Sequence, residues 1–321
     1  MIRVAVLDDY QRAALGLADW QSLHPAAQIE AFPEHWADPA EVVKRLHVYE
    51  AVVLMRERTP FPRALIEQLP NLRLIVTAGM HNASIDVAAA ASRGVTVCGT
   101  EMLGYPTAEL AWGLILSLAR KIPQEFASLR LGHWQSTLGS GLKGKVLGIV
   151  GLGRLGSQMA KIAQAFGMSV IAWSPNLTDA KAAEAGAQRV SKEDLFSRAD
   201  VVTIHLVLGD RSRGTVGAPE LARMKPTAYL VNTSRGPIVN EAALVETLKA
   251  HRIAGAAIDV YDREPVAKDH PYLALDNLLA TPHLGYVTVE NYRQVYGQAV
   301  EDIRGFLDGK PVRIVNPPVK A

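Results

Sequence analysis

Lys145-Val146-Leu147-Gly148-Ile149-Val150 runs directly into Gly151-Leu152-Gly153-Arg154-Leu155-Gly156. The first six residues are short, apolar and rich in β-branched side chains, as in a strand buried on both faces. The next six match G-x-G-x-x-G, and Arg154–Phe166 continues with an amphipathic helical period. A glycine turn between strand and helix is the setting in which this pattern binds a dinucleotide. Gly151 permits the tight turn, Gly153 lets the backbone approach a pyrophosphate, and Gly156 lets helix and strand pack closely. The helix start then offers N–H groups and a positive dipole end to the phosphates. A plain glycine turn is the other reading.

Outward from this motif the chain alternates strand-like and helix-like segments. Upstream, Val4–Leu7, Ala51–Leu54, Leu72–Val76 and Val95–Cys98 read as strands, with helices near Asp38–His47, Pro62–Gln68 and Ser84–Arg93. Downstream, strands are expected at Ser169–Ala172, Val201–His205, Ala228–Asn232, Gly255–Asp259 and Leu278–Ala280. Helices are expected at Thr178–Ala185, Pro219–Met224, Glu241–Ala250 and about Val289–Leu307. Two βα series of this kind imply an α/β chain with two doubly wound parallel-sheet domains. Between them, Pro106 suits the first turn of a long helix that Pro123 kinks or ends. Its Leu110, Leu114 and Leu118 form one apolar stripe, which either packs inside the chain or faces a second copy.

Composition narrows the function classes. The chain has 321 residues, 49% hydrophobic and 21% charged, values of an ordinary globular protein of about two domains. The net charge of +2, without a basic block, gives no footprint for nucleic acid. The single cysteine, Cys98, leaves no intrachain disulfide and no cysteine-based metal cluster, and no metal site is expected. No apolar run is long enough for a membrane span, and Met1–Asp9 does not read as a signal peptide. A cytoplasmic location is the expectation.

The cofactor's ribose is less well specified. In NAD-binding domains an acidic residue ends the second strand and binds the ribose diol. Here Val170–Trp173 is followed by Ser174, and no arginine stands in Pro175–Thr178 to clamp a 2′-phosphate. Both NAD(H) and NADP(H) remain open, with dual use or a mild NADPH preference expected.

Further segments stand out: Leu142–Gly156, Ala165–Val170, Met224–Val239 (MKPTAYLVNTSRGPIV), Ala254–Pro265 (AGAAIDVYDREP) and Thr281–Gly285 (TPHLG). In these the chain resembles the D-isomer-specific 2-hydroxyacid dehydrogenases, among them glyoxylate/hydroxypyruvate reductases and phosphoglycerate dehydrogenases. Weaker matches reach Thr77–Ala88 and Pro106–Leu110. The resemblance implies a Rossmann cofactor domain, residues 100–289, inserted in a flavodoxin-like substrate domain of residues 1–99 plus 290–321, with a cleft between them. It implies NAD(P)-dependent exchange of a hydride with C2 of a small 2-hydroxy or 2-keto acid.

The same resemblance assigns Arg235, Glu264 and His283 as the catalytic set. The chemistry explains the residue types. Reducing a keto acid needs a proton on the carbonyl oxygen, and histidine exchanges protons near neutral pH. A glutamate can orient its ring, and an arginine fork can hold the substrate carboxylate and carbonyl in one geometry. Taken singly, each residue could equally be a surface or loop group. Gly151, Gly153, Arg154, Leu155, Gly156, Ser174, His205, Leu206, Thr233, Ser234, Asp259 and Thr107 are the implied cofactor contacts. Asp259 could instead cap the following loop. Ala78 and Gly79 are the implied substrate-carboxylate turn, with Arg56 and Tyr286 as further substrate contacts. His81 replaces a usual glycine, and is either a surface histidine or a substrate contact. A homodimer is implied by analogy. A non-catalytic, dinucleotide-sensing protein on the same fold is the alternative function.

Overall fold

The structure is a computed structural model that describes residues 1–316. The expected substrate domain runs to residue 321, and residues 317–321 lie outside the described ones. The chain separates into two compact units, Met1–Leu103 with Thr288–Ala321, and Gly104–Val287.

In the first unit, β1 (Ile2–Val6), β2 (Ala27–Ala31), β3 (Ala51–Leu54), β4 (Leu74–Thr77) and β5 (Thr96–Gly99) form a parallel sheet in the order β2-β1-β3-β4-β5. Helices α1 (Pro39–Leu46), α2 (Arg63–Ile66) and α3 (Val87–Ser92) connect its later strands. β3 and β4 are buried along their whole length, which is why they read as unbroken apolar runs. β2 was not expected from the sequence. It is an edge strand of mixed polarity, AQIEA, with only Ala27 fully buried, so it carries little hydrophobic signal.

The second unit starts with α4 (Pro106–Arg120) and α5 (Ile122–Arg130). Its sheet contains β6 (Val146–Val150), β7 (Ser169–Trp173), β8 (Gln188–Arg189), β9 (Val201–Ile204), β10 (Tyr229–Asn232), β11 (Gly255–Ile258) and β12 (Leu278–Ala280). The order is β12-β11-β10-β9-β6-β7-β8, all parallel, with the order reversing at β6. Helices α6 (Arg154–Ala165), α7 (Asp179–Glu184), α8 (Lys192–Arg198), α9 (Ala218–Leu221) and α10 (Glu241–Lys249) join them. The last helix, α11 (Val289–Leu307), returns to the first unit. The architecture is two doubly wound parallel-sheet α/β domains, as the alternation of segments implies.

Helix starts follow local chemistry. Asp38, Asp86, Thr178, Ser191, Asn240 and Thr288 each cap a helix with a side-chain oxygen on a first-turn N–H. α6 is preceded by Gly153 and has no such side-chain cap.

The leucine stripe of α4 packs inside the chain. Leu114 and Leu118 are buried in the core of the second unit, with Leu110 packed against it. The chain then turns at Lys121, in a left-handed conformation (φ 55°), so Pro123 falls near the start of a new helix rather than in the middle of an old one. That helix, α5, was not expected and buries none of its residues. Its Ile122, Phe126 and Leu129 are exposed, as are Leu131, Trp134 and Leu138 just beyond it.

Candidate functional site

The carboxyl ends of the strands in the second unit hold most of the residues singled out in the sequence. Ligands bind at this edge of open parallel sheets, where the strand order reverses. β6 leads into Gly151, whose φ of 102° suits glycine, and whose N–H donates to Trp173 O at 2.8 Å. A Cβ at Gly151 would stand 2.7 Å from His205 C and O, so β9's continuation, His205-Leu206, packs directly on the turn. A Cβ at Gly156 would stand 2.3 Å from Gly151 O. Around Gly153, in contrast, an added Cβ meets nothing within 4 Å. The turn is thus closed on its protein side and open at the start of α6. Ser157 N is the first amide there with a helical partner, Gly153 O.

These residues fit a dinucleotide. The bare helix start can receive phosphate. Two buried polar atoms at neighbouring strand ends, His205 Nδ1 and Thr233 Oγ1, have no hydrogen-bond partner among the described residues. His205 Nε2 is 2.9 Å from Thr203 Oγ1, and burial pushes the histidine pKa down to about 4. Ser174, where an acid would bind the ribose, accepts the Leu152 N–H at 2.9 Å. It therefore braces the glycine turn. Arg154 lies over the Gly104 backbone: a Cβ at Gly104 would come within 2.6 Å of Arg154 Nη1.

β10 ends in Asn232, a residue the sequence reading passed over. Its Oδ1 accepts Ser234 N–H at 3.0 Å and its Nδ2 donates to Arg235 O at 3.0 Å, shaping the turn that presents Arg235. Asparagine immediately before a turn was the available signal. Ser234 Oγ donates to Leu206 O, and Arg235 Nη1 donates to Ser234 O at 2.8 Å.

β11 and β12 end level with each other, Ile258 beside Ala280. Asp259, fully buried, accepts from Thr281 Oγ1 at 2.6 Å, Leu284 N at 2.7 Å and Gly285 N at 2.9 Å. Burial pushes its pKa up, while these donors oppose the shift. The buried carboxylate thereby fixes the loop on both sides of His283. His283 itself has φ 53°, a conformation uncommon for a residue with a side chain. Its Nδ1 lies 2.5 Å from Glu264 Oε2, while Nε2 has no partner among the described residues. Tyr286 sets its ring edge-on to the imidazole at 5.3 Å between centroids. Thr107 Oγ1 donates to Gly285 O at 2.9 Å, adding a further tie to this loop. Glu264 and His283 are brought together here.

The first unit shows a different picture around Arg56, Ala78 and Gly79. Arg56 Nη1 donates to Ala78 O and His81 O at 3.2 and 3.3 Å, and Nη2 pairs with Glu57 at 3.1 Å. Gly79 has φ 91°, and its missing Cβ makes room for that guanidinium, 2.1 Å from where a Cβ would stand. The N–H groups expected to meet a carboxylate are engaged: Ala78 N with Leu54 O at 2.9 Å and Gly79 N with Thr100 Oγ1 at 3.3 Å. His81 is exposed, and its carbonyl holds Arg56.

Residues 112–285 match the family described as D-isomer specific 2-hydroxyacid dehydrogenase, NAD binding domain. The D-3-phosphoglycerate dehydrogenase of Archaeoglobus fulgidus is 38% identical over 276 residues, 85% of this chain and 52% of that protein. The glyoxylate reductase of Aeropyrum pernix is 39% identical over 263 residues, 78% of each chain. The crystal structure of a phosphoglycerate oxidoreductase from Vibrio cholerae superposes with a TM-score of 0.92 at 37% identity, covering 96% of this chain and 100% of that one. The chain spans about half the length of the phosphoglycerate dehydrogenases that it matches. Among the described residues, no helix is long and apolar enough to cross a membrane.

Proposed function

The chain belongs to the D-isomer specific 2-hydroxyacid dehydrogenase family, and from that premise we propose that it reduces small 2-keto acids to 2-hydroxy acids with a reduced nicotinamide cofactor. The observation that carries this reading is the His283–Glu264 pair, 2.5 Å apart, on a loop fixed by the buried Asp259.

When bound, the nicotinamide supplies the hydride that C2 of the keto acid receives. His283 supplies the proton. With Glu264 as a carboxylate, Nδ1 carries its hydrogen toward that acceptor, and Nε2 is the atom that delivers a proton to the carbonyl oxygen. In the oxidative direction Nε2 takes that proton from the hydroxyl. Arg235 holds the substrate's carboxylate and carbonyl through its planar donors. Tyr286 packs beside the imidazole and limits the size of the group carried on C2. In the first unit, Arg56 and the Ala78-Gly79 turn are assigned to the substrate anion, with the Gly79 N–H exchanging its long contact to Thr100 for the ligand.

The cofactor is held by the Gly151–Gly156 turn and the α6 start for the pyrophosphate, with Arg154 and Leu155 alongside. Leu206, Ser234, Thr233, His205 and Thr107 line the remaining path. Ser174 carries no charge to repel a 2′-phosphate, so both nicotinamide cofactors are accepted. Asp259 already accepts three hydrogen bonds from within the protein, which favours its role in holding the His283 loop over direct contact with the cofactor. A homodimer forms through the exposed apolar face of α5 and the Leu131–Leu138 segment, since no residue of α5 is fully buried among the described residues.

The test is the loss of reduced-nicotinamide absorbance on mixing the protein with NADH or NADPH and glyoxylate, hydroxypyruvate, pyruvate or bulkier 2-keto acids. Turnover with any of them supports the reading, and the two cofactor rates resolve the Ser174 question. Tight cofactor binding without turnover across the panel would point instead to a dinucleotide-sensing protein.

A further inference from the structure

Tyr261 follows β11 and is almost fully buried, and three segments meet on it. Its main-chain N–H donates to Glu264 Oε1 at 2.9 Å. Its hydroxyl donates to Thr281 O at 2.9 Å. Its carbonyl group presses on Gly236, where an added Cβ would stand 2.2 Å from Tyr261 C. Gly236 is bonded to Arg235, Glu264 pairs with His283, and Thr281 lies two residues before His283.

The Thr281 carbonyl is the informative atom. It also accepts the N–H of His283 itself, at 3.0 Å, closing a tight turn over Pro282. That turn holds His283 at its positive φ. The Tyr261 hydroxyl therefore orients the acceptor that fixes the His283 backbone, while its main chain fixes the carboxylate that meets the imidazole. Burial, with the Asp259 and Glu264 carboxylates nearby, raises the phenol's pKa to about 12, so it remains a hydrogen-bond donor.

We propose that Tyr261 is a positioning residue that keeps the segments carrying Arg235, Glu264 and His283 in register, acting through the Thr281 carbonyl and the Glu264 carboxylate. This rests on the roles given to His283 and Glu264 above. A phenylalanine in its place keeps the ring and the main-chain N–H and removes only the hydroxyl.

The experiment uses Tyr261→Phe, Glu264→Gln and the double variant in the full chain. For Tyr261→Phe, kcat for keto acid reduction should fall about tenfold with KM and cofactor affinity within about twofold, because a small misplacement of a reacting group acts on the chemical step. In the Glu264→Gln background the same substitution should cost less than about threefold, since residues acting through one pair are not additive. Equal losses in both backgrounds, or a kcat within about twofold of the parent, would overturn the proposal. A second readout needs no turnover: in ring-¹⁵N-histidine-labelled protein, the His283 resonances, assigned by their loss in His283→Ala, should move in Tyr261→Phe at constant pH. Unmoved resonances count against Tyr261, whereas a parent protein without activity whose resonances do move counts only against the enzymatic reading.

Discussion

The carboxyl ends of the two parallel sheets can be compared residue by residue. Both carry non-glycine residues at positive φ, Asp8 and Arg56 in the first unit and His283 in the second. In the first unit the charged groups satisfy one another. Asp8 accepts from Thr59 Oγ1 at 2.7 Å and meets His35 Nδ1 at 2.8 Å, and Arg56 is engaged with two carbonyls and Glu57. In the second, Asp259, Glu264 and Tyr261 hold the loop and one nitrogen of His283, and the other nitrogen has no partner among the described residues. Similar backbone conformations thus have different surroundings: on the first edge Asp8 and Arg56 are held by neighbouring side chains and carbonyls, while on the second buried donors and acceptors fix the loop of His283, the proposed acid–base group.

The sharpest way to break this contrast is His283→Ala. It should lower kcat by roughly 10²- to 10⁴-fold, the usual range for a lost general acid–base group, while cofactor affinity measured by fluorescence titration stays within about twofold. Activity near the parent's would remove His283 from the reaction. Next is Arg235→Ala, where loss of charge-assisted hydrogen bonds worth about 1.5–3 kcal/mol should reduce kcat/KM by roughly 10- to 100-fold. Steady-state kinetics over a substrate series checks it, and an unchanged kcat/KM would contradict its assignment.

A pair of glycine substitutions tests the two edges against each other. At Gly156 the new methyl meets backbone, Gly151 O at 2.3 Å, which cannot yield without opening the turn. Gly156→Ala should cost about 2 kcal/mol of stability and weaken cofactor binding at least about tenfold. At Gly79 the methyl meets the end of the Arg56 side chain, which can swing aside, so the cost is mainly that of positive φ, about 1 kcal/mol. Urea unfolding of both variants checks the order, and a larger loss at Gly79 would reverse the comparison.

The remaining test concerns pH. The folded pKa of His205 is lowered to about 4 from an ordinary 6.5. Below pH 6.5 the unfolded chain takes up a proton that the folded chain refuses, so stability declines as pH falls through that window and levels off below about 4. The contribution is on the order of 3 kcal/mol. His205→Gln should flatten this part of the stability–pH curve measured by denaturant unfolding. An unchanged slope would show that the histidine is not held neutral.

Several features are legible in the sequence itself. The strand–turn–helix at Lys145–Phe166 follows from the apolar run, the glycine spacing and the helical period, each a local property. α11, Val289–Leu307, matches its periodic segment to the residue. The edge strands β2 and β8 and the short α8 were missed because they bury little or are too short to show a period. The leucines of α4 gave a correct face without saying what lay against it; the structure shows their own sheet there, and leaves α5 bare.

For the candidate site, residue types and their order along the chain set what chemistry was available: a histidine, a glutamate, an arginine and a glycine turn at strand ends. Hydrogen bonds between residues far apart in sequence carry no local signature, so only the fold could reveal what those residues do to one another. Asp259 braces the loop of a histidine that follows it by 24 positions. Ser174 closes onto the glycine turn rather than standing free, and Tyr261 presses on Gly236 before it in the chain and bonds Glu264 and Thr281 after it. Sequence period reports which faces are buried; partnership is decided by where neighbouring strands end, and that is a property of the assembled sheet.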